Sequence, residues 1–375
     1  MKIIGKGRFT GTKTLYYKIL PKKVTLVSAT RAKKGIVLTW TSGGNSVHGY
    51  CVYRNGKKIA NISATKGVLS YTDKTLPNGQ LGKYQIKTYK YVNGVCYCNY
   101  SNTISRLRLD TVSISSKSID ANTVDALHLK LSWAPAQNMN AYRVTYIVQQ
   151  ATNSAFSSPD QKTVKGSSSD LSCIFDANVE QTQYYRIRVK YITGNGNTVY
   201  SQWSDTVKIT PASYVKKRIE YLKTVYPDGK YWCRNGIVYN HGGVSDYPCG
   251  TCNGNYYYGF CASVTTGAYP AMQCHGFASL MSDEIFGKPS GFSNVKYSKH
   301  SDLDKLKPGD FVRLYGIVHS ILITDVNHTT GEVSAVECNG DGYTCQIWWV
   351  RGPRGYKLSK NFIKYQGVYS IVSRY

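Results

Sequence analysis

The chain has 375 residues, and 42% of them are hydrophobic, which suits two or three folded domains and excludes a disordered tail. Lysine and arginine outnumber aspartate and glutamate by 47 to 21, so the formal net charge is +26. This charge is spread along the chain and favours an anionic partner, such as nucleic acid or a phosphate-rich polymer. The sequence has no nucleic-acid-reading module and no apolar run of about 18 residues, so we expect neither a nucleic-acid ligand nor a membrane span.

The cysteine content indicates an extracellular protein, whereas the N-terminus shows no signal peptide. Residues 1–6 lack the long apolar stretch of a signal peptide. Yet the chain has 11 cysteines, a high count, and the C-terminal third is richest in them. Clustered cysteines form disulfides outside the cell or bind metal. We therefore expect the chain to be the C-terminal part of a longer secreted or cell-surface protein, and a monomer.

Residues 1–21 have a strand–turn–strand pattern. It resembles the last hairpin of a bacterial surface Ig-like repeat, and a plain N-terminal arm is equally compatible with it. We treat 1–21 as separate from the longer β-rich region that follows.

Residues 22–109 alternate short β-rich runs with turns. The run 50–54 is followed by Asn55-Gly56, which is the strongest short signal for a hairpin. Residues 110–211 repeat this scheme, with Trp133 in the place of Trp40. Later positions match at an offset of 100: Tyr91 with Tyr191, Gly94 with Gly194, and Tyr100-Ser101 with Tyr200-Ser201. Repetition at this length predicts two tandem all-β sandwiches rather than a solenoid.

The two repeats resemble fibronectin type III modules, which have a buried tryptophan on an early strand and a closing Tyr-Ser stretch. The resemblance covers about half of the chain. It implies that four aromatic residues belong to the cores: Trp40, Trp133, Tyr84 and Tyr185. A carbohydrate-binding platform built from other tyrosines is the alternative.

The composition changes at residue 212, and we assign 212–375 to one further domain. Val215, Ile219 and Leu222 share one face of a predicted helix, which Pro227-Asp228-Gly229 ends. Residues 230–270 are then rich in glycine, tyrosine and cysteine. Four cysteines of this region are open to zinc binding, disulfides or free thiols: Cys233, Cys249, Cys252 and Cys261.

The next predicted helix begins at Gln273 and ends at Gly287. Phe277, Leu280 and Met281 recur on it at helical spacing. Cys274 lies in its first turn, where the unpaired backbone N–H groups and the helix dipole favour a thiolate over a thiol. Taken alone, an isolated cysteine such as Cys274 is more often a small buried structural residue or half of a disulfide. The histidine that follows it, His275, is assigned to the ordinary surface or loop histidines.

Two later strands supply the partners that a nucleophilic cysteine needs. His319 lies near the start of the second strand of a predicted hairpin. Glu337 and Asn339 are two residues apart on the next strand, so they share a face. An imidazole is needed to take the proton of the thiol, and a polar partner is needed to orient the imidazole. Between Glu337 and Asn339, we favour Glu337 as the direct partner and Asn339 as a second support.

These motifs together resemble the CHAP family of cysteine, histidine-dependent amidohydrolases and peptidases, and the related NlpC-type wall peptidases. The resemblance rests on the run from Tyr269 to Cys274, on Pro308-Gly309-Asp310 and on the His319 and Glu337-x-Asn339 strands. It implies an α+β papain-like domain and hydrolysis of amide bonds in peptidoglycan, with no cofactor and no metal. Anionic wall polymers are the implied partners.

Three further residues have expected roles. Gln273 is a candidate donor to the oxyanion, with helix-start packing as the alternative. Trp348 and Trp349 are candidate substrate-binding residues, with a core role as the alternative. The sequence leaves open whether the bond cleaved is the sugar–peptide amide or a peptide cross-bridge.

Two other classes of function remain open. One is a non-catalytic surface adhesin or wall-binding protein with a degenerate papain-like domain. The other is a papain-like protease or transglutaminase that acts on proteins.

Overall fold

The computed structural model describes residues 2–15, 20–120, 128–176, 181–233, 243–247, 256–267, 271–288, 295–340, 344–349 and 357–375. The first element is an exposed antiparallel hairpin of β1 (Lys2–Ile4) and β2 (Thr12–Thr14). In the described part of the chain, no helix has the length and apolar content needed to cross a bilayer.

The first sandwich packs a three-stranded sheet against a four-stranded one. The sheets have the orders β3-β4-β7 and β6-β5-β8-β9. Ile36, Leu38 and Trp40 alternate with less buried residues, so one face of their strand enters the core. The predicted hairpin at Asn55-Gly56 is confirmed, because both residues have positive φ between two paired strands. The strands are β3 (Leu26–Arg31), β4 (Ile36–Trp40), β5 (Gly49–Arg54), β6 (Lys57–Ser63), β7 (Ser70–Asp73), β8 (Leu81–Val92) and β9 (Val95–Leu107).

The second sandwich has the same arrangement. Its sheets have the orders β10-β11-β14 and β13-β12-β15-β16, and β17 pairs with β15. Trp133 and Tyr185 are buried in its core, as Trp40 and Tyr84 are in the first, so the predicted core aromatics are confirmed. The strands are β10 (Ile114–Asp120), β11 (His128–Trp133), β12 (Val144–Ala151), β13 (Asp160–Lys165), β14 (Ser172–Asp176), β15 (Gln183–Ile192), β16 (Thr198–Tyr200) and β17 (Val207–Ile209).

The C-terminal part contains helices and a six-stranded antiparallel sheet of order β22-β27-β23-β24-β25-β26. Its helices are α1 (Pro211–Val225), α2 (Phe260–Thr266), α3 (Gln273–Phe286) and α4 (Lys360–Gln366). Its strands are β18 (Tyr231–Cys233), β19 (Gly243–Ser245), β20 (Tyr256–Tyr257), β21 (Ala271–Met272), β22 (Ser298–His300), β23 (Phe311–Leu314), β24 (Ser320–Val326), β25 (Val333–Cys338), β26 (Ile347–Trp349) and β27 (Val368–Ser373).

The sheet has a hydrophobic core on each face, which explains the nearly continuous apolar run of β24. Leu322 packs towards α1 and α3, and Ile321 and Ile323 pack towards Ile363 of α4. A strand covered on both faces loses the alternation of polar and apolar residues. The predicted helix over 273–286 is confirmed by α3, which lies against β23, β24 and β25.

Gly276 on α3 leaves no room for a side chain. A Cβ there would overlap the carbonyl oxygen of Ala271 and lie 3.2 Å from the ring of Trp232. We expect Gly276→Ala to destabilise this part of the chain by about 1–3 kcal/mol through overpacking. Differential scanning calorimetry of the full chain checks this. Gly194→Ala is the control, because a Cβ there would meet only Nη1 of Arg143, at 3.7 Å. Equal shifts for both variants would contradict the expectation.

Candidate active site

Cys274 is the second residue of α3, and its side chain is buried at the start of the helix. The preceding residue, Gln273, has a φ of 54° in the left-handed region, which costs free energy in a non-glycine residue. No side chain caps this helix, and its first turn contains no acidic residue. The sulfur therefore meets the positive end of the helix dipole without a competing negative charge from that turn.

The structure brings His319 and Glu337 to Cys274. The His319 side chain is hydrogen-bonded to Cys274, and its Nε2 lies 2.7 Å from Oε2 of Glu337. Because Nε2 is used by the carboxylate, Nδ1 is the nitrogen left to face the sulfur. Both the imidazole and the carboxylate are buried, with side-chain exposures of 7% and 0%. Three residues that are far apart in sequence thus form one linear relay.

This relay favours a charge-separated pair. Burial alone would raise the pKa of the Cys274 thiol, but the charge and hydrogen bond of His319, the backbone N–H of Ser320 and the charge of Arg313 hold that pKa below its ordinary value. Burial alone would lower the pKa of His319, but Cys274 and Glu337 raise it to about 10. Both shifts favour a thiolate beside an imidazolium over a neutral thiol beside a neutral imidazole.

Asn339 contacts Gln273 rather than His319. Its Nδ2 donates to Oε1 of Gln273 at 3.2 Å, and Asn339 also has a positive φ, of 64°. Glu337 is accordingly the direct partner of the histidine, and Asn339 orients the side-chain amide beside the nucleophile. Because the oxygen of the Gln273 side-chain amide accepts from Asn339, its NH₂ group points away from Asn339. A donor to an oxyanion has to use that NH₂ group.

His275 differs from its assignment to surface or loop histidines, because it is buried on α3. Its Nδ1 lies 2.8 Å from Oγ of Ser320, and its Nε2 lies 3.1 Å from Oγ1 of Thr266. Arg313 Nη1 donates to Ser320 Oγ at 3.0 Å, and Thr266 Oγ1 donates to the Ala262 carbonyl. These partners fit a neutral ring that accepts from Ser320 at Nδ1 and donates to Thr266 at Nε2.

This network supports the nucleophile indirectly, because the backbone N–H of Ser320 is bonded to the Cys274 sulfur. Burial and the charge of Arg313 lower the pKa of His275 to about 4, so the ring stays neutral at working pH. The sequence pattern missed His275 because its burial depends on the packing of α3 against the sheet. No local signal identified Arg313 or Ser320.

The comparisons with known proteins bear on the sandwiches only. No family model matches the sequence, and no curated protein matches it. The FN1–FN3 domains of chicken CNTN1 match with 16% identity over 56% of this chain and 75% of that chain, with a TM-score of 0.24. The chicken interferon gamma receptor alpha chain matches with 12% identity over 50% of this chain and 97% of that chain, with a TM-score of 0.29.

The likeness is distant. The chain is a mainly-β multidomain protein with fibronectin type III-like sandwiches, as their strand orders independently indicate.

The two tryptophans assigned to substrate binding lie in different surroundings. Trp349 lies in the core instead, since it is 6% exposed and its indole Nε1 donates to the Tyr226 carbonyl at 2.7 Å. A buried indole N–H needs such a partner, and here the partner comes from the protein itself. Trp348 is partly buried and pairs with Glu337 across β25 and β26, so it stays a candidate substrate-binding residue.

The cysteines near the site have different states. Cys261 is a buried thiol that donates to Ser282 Oγ, and burial raises its pKa to about 12, which disfavours a zinc-bound thiolate. Cys345 is disulfide-bonded, whereas Cys338 keeps its thiol, so these two do not pair with each other. Cys249 and Cys252 lie outside the described residues, as do Tyr269, Pro270 and the side chain of Cys233. Among the described residues, no cluster of histidine, cysteine or acidic side chains is suited to a metal ion.

Replacing His275 with alanine tests its part in the site. We expect the rate of the reaction at Cys274 to be about tenfold lower. The dependence of that rate on pH should be unchanged between pH 5 and 9, because the ring of His275 does not titrate there. The pKa of His275 is below that of an unfolded histidine, so the unfolded chain binds the extra proton and stability falls as pH drops from about 6.5 to 4. Thermal unfolding at these two pH values should show a smaller loss for His275→Ala than for the wild type. An equal loss in both proteins would contradict this.

Proposed function

We propose that the chain is a thiol-dependent amidohydrolase of peptidoglycan with a papain-like C-terminal domain. The observation that carries the proposal is the buried relay of Cys274, His319 and Glu337, with 2.7 Å between the imidazole and the carboxylate. A structural cysteine has no need of an imidazole with a raised pKa, and a structural histidine has no need of a thiolate. The packing of α3 against the sheet that carries His319 supports the papain-like assignment.

The reaction is an acyl transfer. The Cys274 thiolate attacks the carbonyl carbon of an amide, and the imidazolium of His319 donates its proton to the leaving amine. The neutral imidazole then takes a proton from water, whose oxygen attacks the thioester and releases the acid. The backbone N–H of Cys274 and the side-chain amide of Gln273 are the donors to the oxyanion. Glu337 holds the imidazole and stabilises its charge.

The basic surface and the sandwiches suggest how the substrate is reached. The net charge of +26 favours retention on a polymer that carries phosphate or carboxylate groups. The two sandwiches then act as spacers or weak wall-adhesion modules on a secreted or wall-associated protein. The acidic polymers of a bacterial wall combine this charge with the amide bonds that the relay would hydrolyse.

Digestion of purified peptidoglycan tests the proposal. We expect new amino groups and no new reducing sugar ends, and Cys274→Ser should release nothing. Mass spectrometry of the released fragments distinguishes a sugar–peptide amide from a peptide cross-bridge. Equal release by wild type and Cys274→Ser would refute the assignment, and cleavage of casein but not of wall would assign the relay to a protease.

A further inference from the structure

Arg313 lies on the same side of the sheet as the nucleophile. It pairs with Ser320 of β24 and with Ser370 of β27, and it is two residues from Phe311, which packs against α2 and α3. Side chains two apart on a strand share a face. The charge of Arg313 reaches both Cys274 and His275. Arg313 bonds to Ser320, whose backbone N–H is bonded to the Cys274 sulfur, so one residue separates the guanidinium from the nucleophile.

In the part of the chain that the structure describes, no acidic side chain forms an ion pair with Arg313. Within the described ranges, none of the ion pairs includes Arg313, and its one hydrogen bond goes from Nη1 to Ser320 Oγ. A guanidinium has five N–H donors, arranged as a fork that matches a carboxylate. Arg313 is only partly buried, so part of its side chain is accessible to a ligand.

Ser370 adds an independent observation. It is 2% exposed, and its hydroxyl oxygen is buried without a hydrogen-bond partner. Because Ser370 is the strand partner of Arg313, its side chain is on the same face. A buried hydroxyl that the fold leaves unpaired is costly, and a ligand oxygen would satisfy it.

We propose that Arg313 and Ser370 form a subsite that binds a carboxylate of the substrate next to the scissile amide. This rests on the proposed hydrolase function and narrows its substrate to acidic peptides, with the carboxylate free rather than amidated. Two oxygens of the carboxylate accept from the guanidinium fork, and one also accepts from the Ser370 hydroxyl. Bidentate recognition of this kind depends on the fork, so lysine does not replace arginine.

Alkylation of Cys274 tests the subsite without any hydrolysis. Iodoacetate and iodoacetamide both form a C–S bond with the thiolate and release iodide, but only iodoacetate carries a carboxylate. The ratio of the two rates at Cys274, read by peptide mass spectrometry on the full chain, cancels the thiolate fraction. Arg313→Gln should lower the ratio of iodoacetate to iodoacetamide about tenfold, and Arg313→Lys should restore only part of it.

Two further variants complete the test. Lys299→Gln removes a neighbouring cation whose ammonium is bonded to the carbonyls of Val264 and Thr265, and it should leave the ratio near that of the wild type. Ser370→Ala removes a hydroxyl that the fold does not use, so the protein should fold and the ratio should fall several-fold. An unchanged ratio in Arg313→Gln and Ser370→Ala, or an equal fall in Lys299→Gln, would overturn the subsite. Neither result bears on the hydrolase proposal, which the digestion of peptidoglycan tests separately.

Discussion

Replacing Cys274 with serine should reduce the release of wall fragments by at least about 10⁴-fold. A hydroxyl at this position has a much higher pKa than the thiol, so the imidazole cannot hold it as an anion in the ground state. The whole relay depends on that ionised atom, because His319 is charged only as the partner of the thiolate and of Glu337. Initial rates of fragment release over several hours measure the loss.

Cys261→Ala is the matched control for this experiment. Cys261 is buried in the same part of the chain, and its thiol contacts Ser282 rather than a histidine. Its replacement should cost some stability and leave the rate within about twofold of the wild type, since it removes only a small packed group. Comparable losses in the two variants would indicate that Cys274 acts through packing.

Glu337→Gln should lower the rate about 10²–10⁴-fold and narrow its pH profile. The carboxylate is one of the groups that raise the pKa of His319 to about 10, so a neutral amide lets that pKa fall. The imidazolium is the acid that protonates the leaving amine, and activity is lost as pH rises through its pKa. The alkaline limb of the profile of kcat/KM against pH should therefore move to lower pH in Glu337→Gln.

Asn339→Ala separates this effect from the contact made just past the end of β25. The prediction that Glu337 and Asn339 share one strand face is wrong, because β25 ends at Cys338 and Asn339 has a positive φ. Asn339 donates to Gln273 and has no contact with His319 among its described hydrogen bonds. It should lower the rate about tenfold through a misplaced oxyanion donor, with the alkaline limb unmoved. An alkaline limb that moves in Asn339→Ala but not in Glu337→Gln would reverse the roles given to the two residues.

The sequence predicted the elements whose local patterns are strong. The doubled tryptophan strands and the Asn55-Gly56 turn predicted the sandwiches, and the spacing of Phe277, Leu280 and Met281 predicted α3. Cys274 and His319 were identified because nucleophile and base have distinct side-chain chemistry. Their contact depends on a helix start meeting a strand start, which only the fold provides.

Other features depend on tertiary packing and left no local signal. β27 inserts between β22 and β23, so Ser370 faces Arg313 although 57 residues separate them, and no periodicity predicts that pairing. Trp349 enters the core because β26 pairs with β25 over α1, where Tyr226 supplies a carbonyl for its indole. His275 is buried because the sheet covers the side of α3 on which its side chain lies.

The pH dependence of Cys274 alkylation by iodoacetamide, compared between the wild type and His319→Ala, tests the ion-paired relay most directly. In the wild type we expect alkylation to begin at a lower pH than in His319→Ala, because the charge and hydrogen bond of His319 lower the pKa of the thiol. The same onset in both proteins, or Cys274 recovered in a disulfide, would contradict the account.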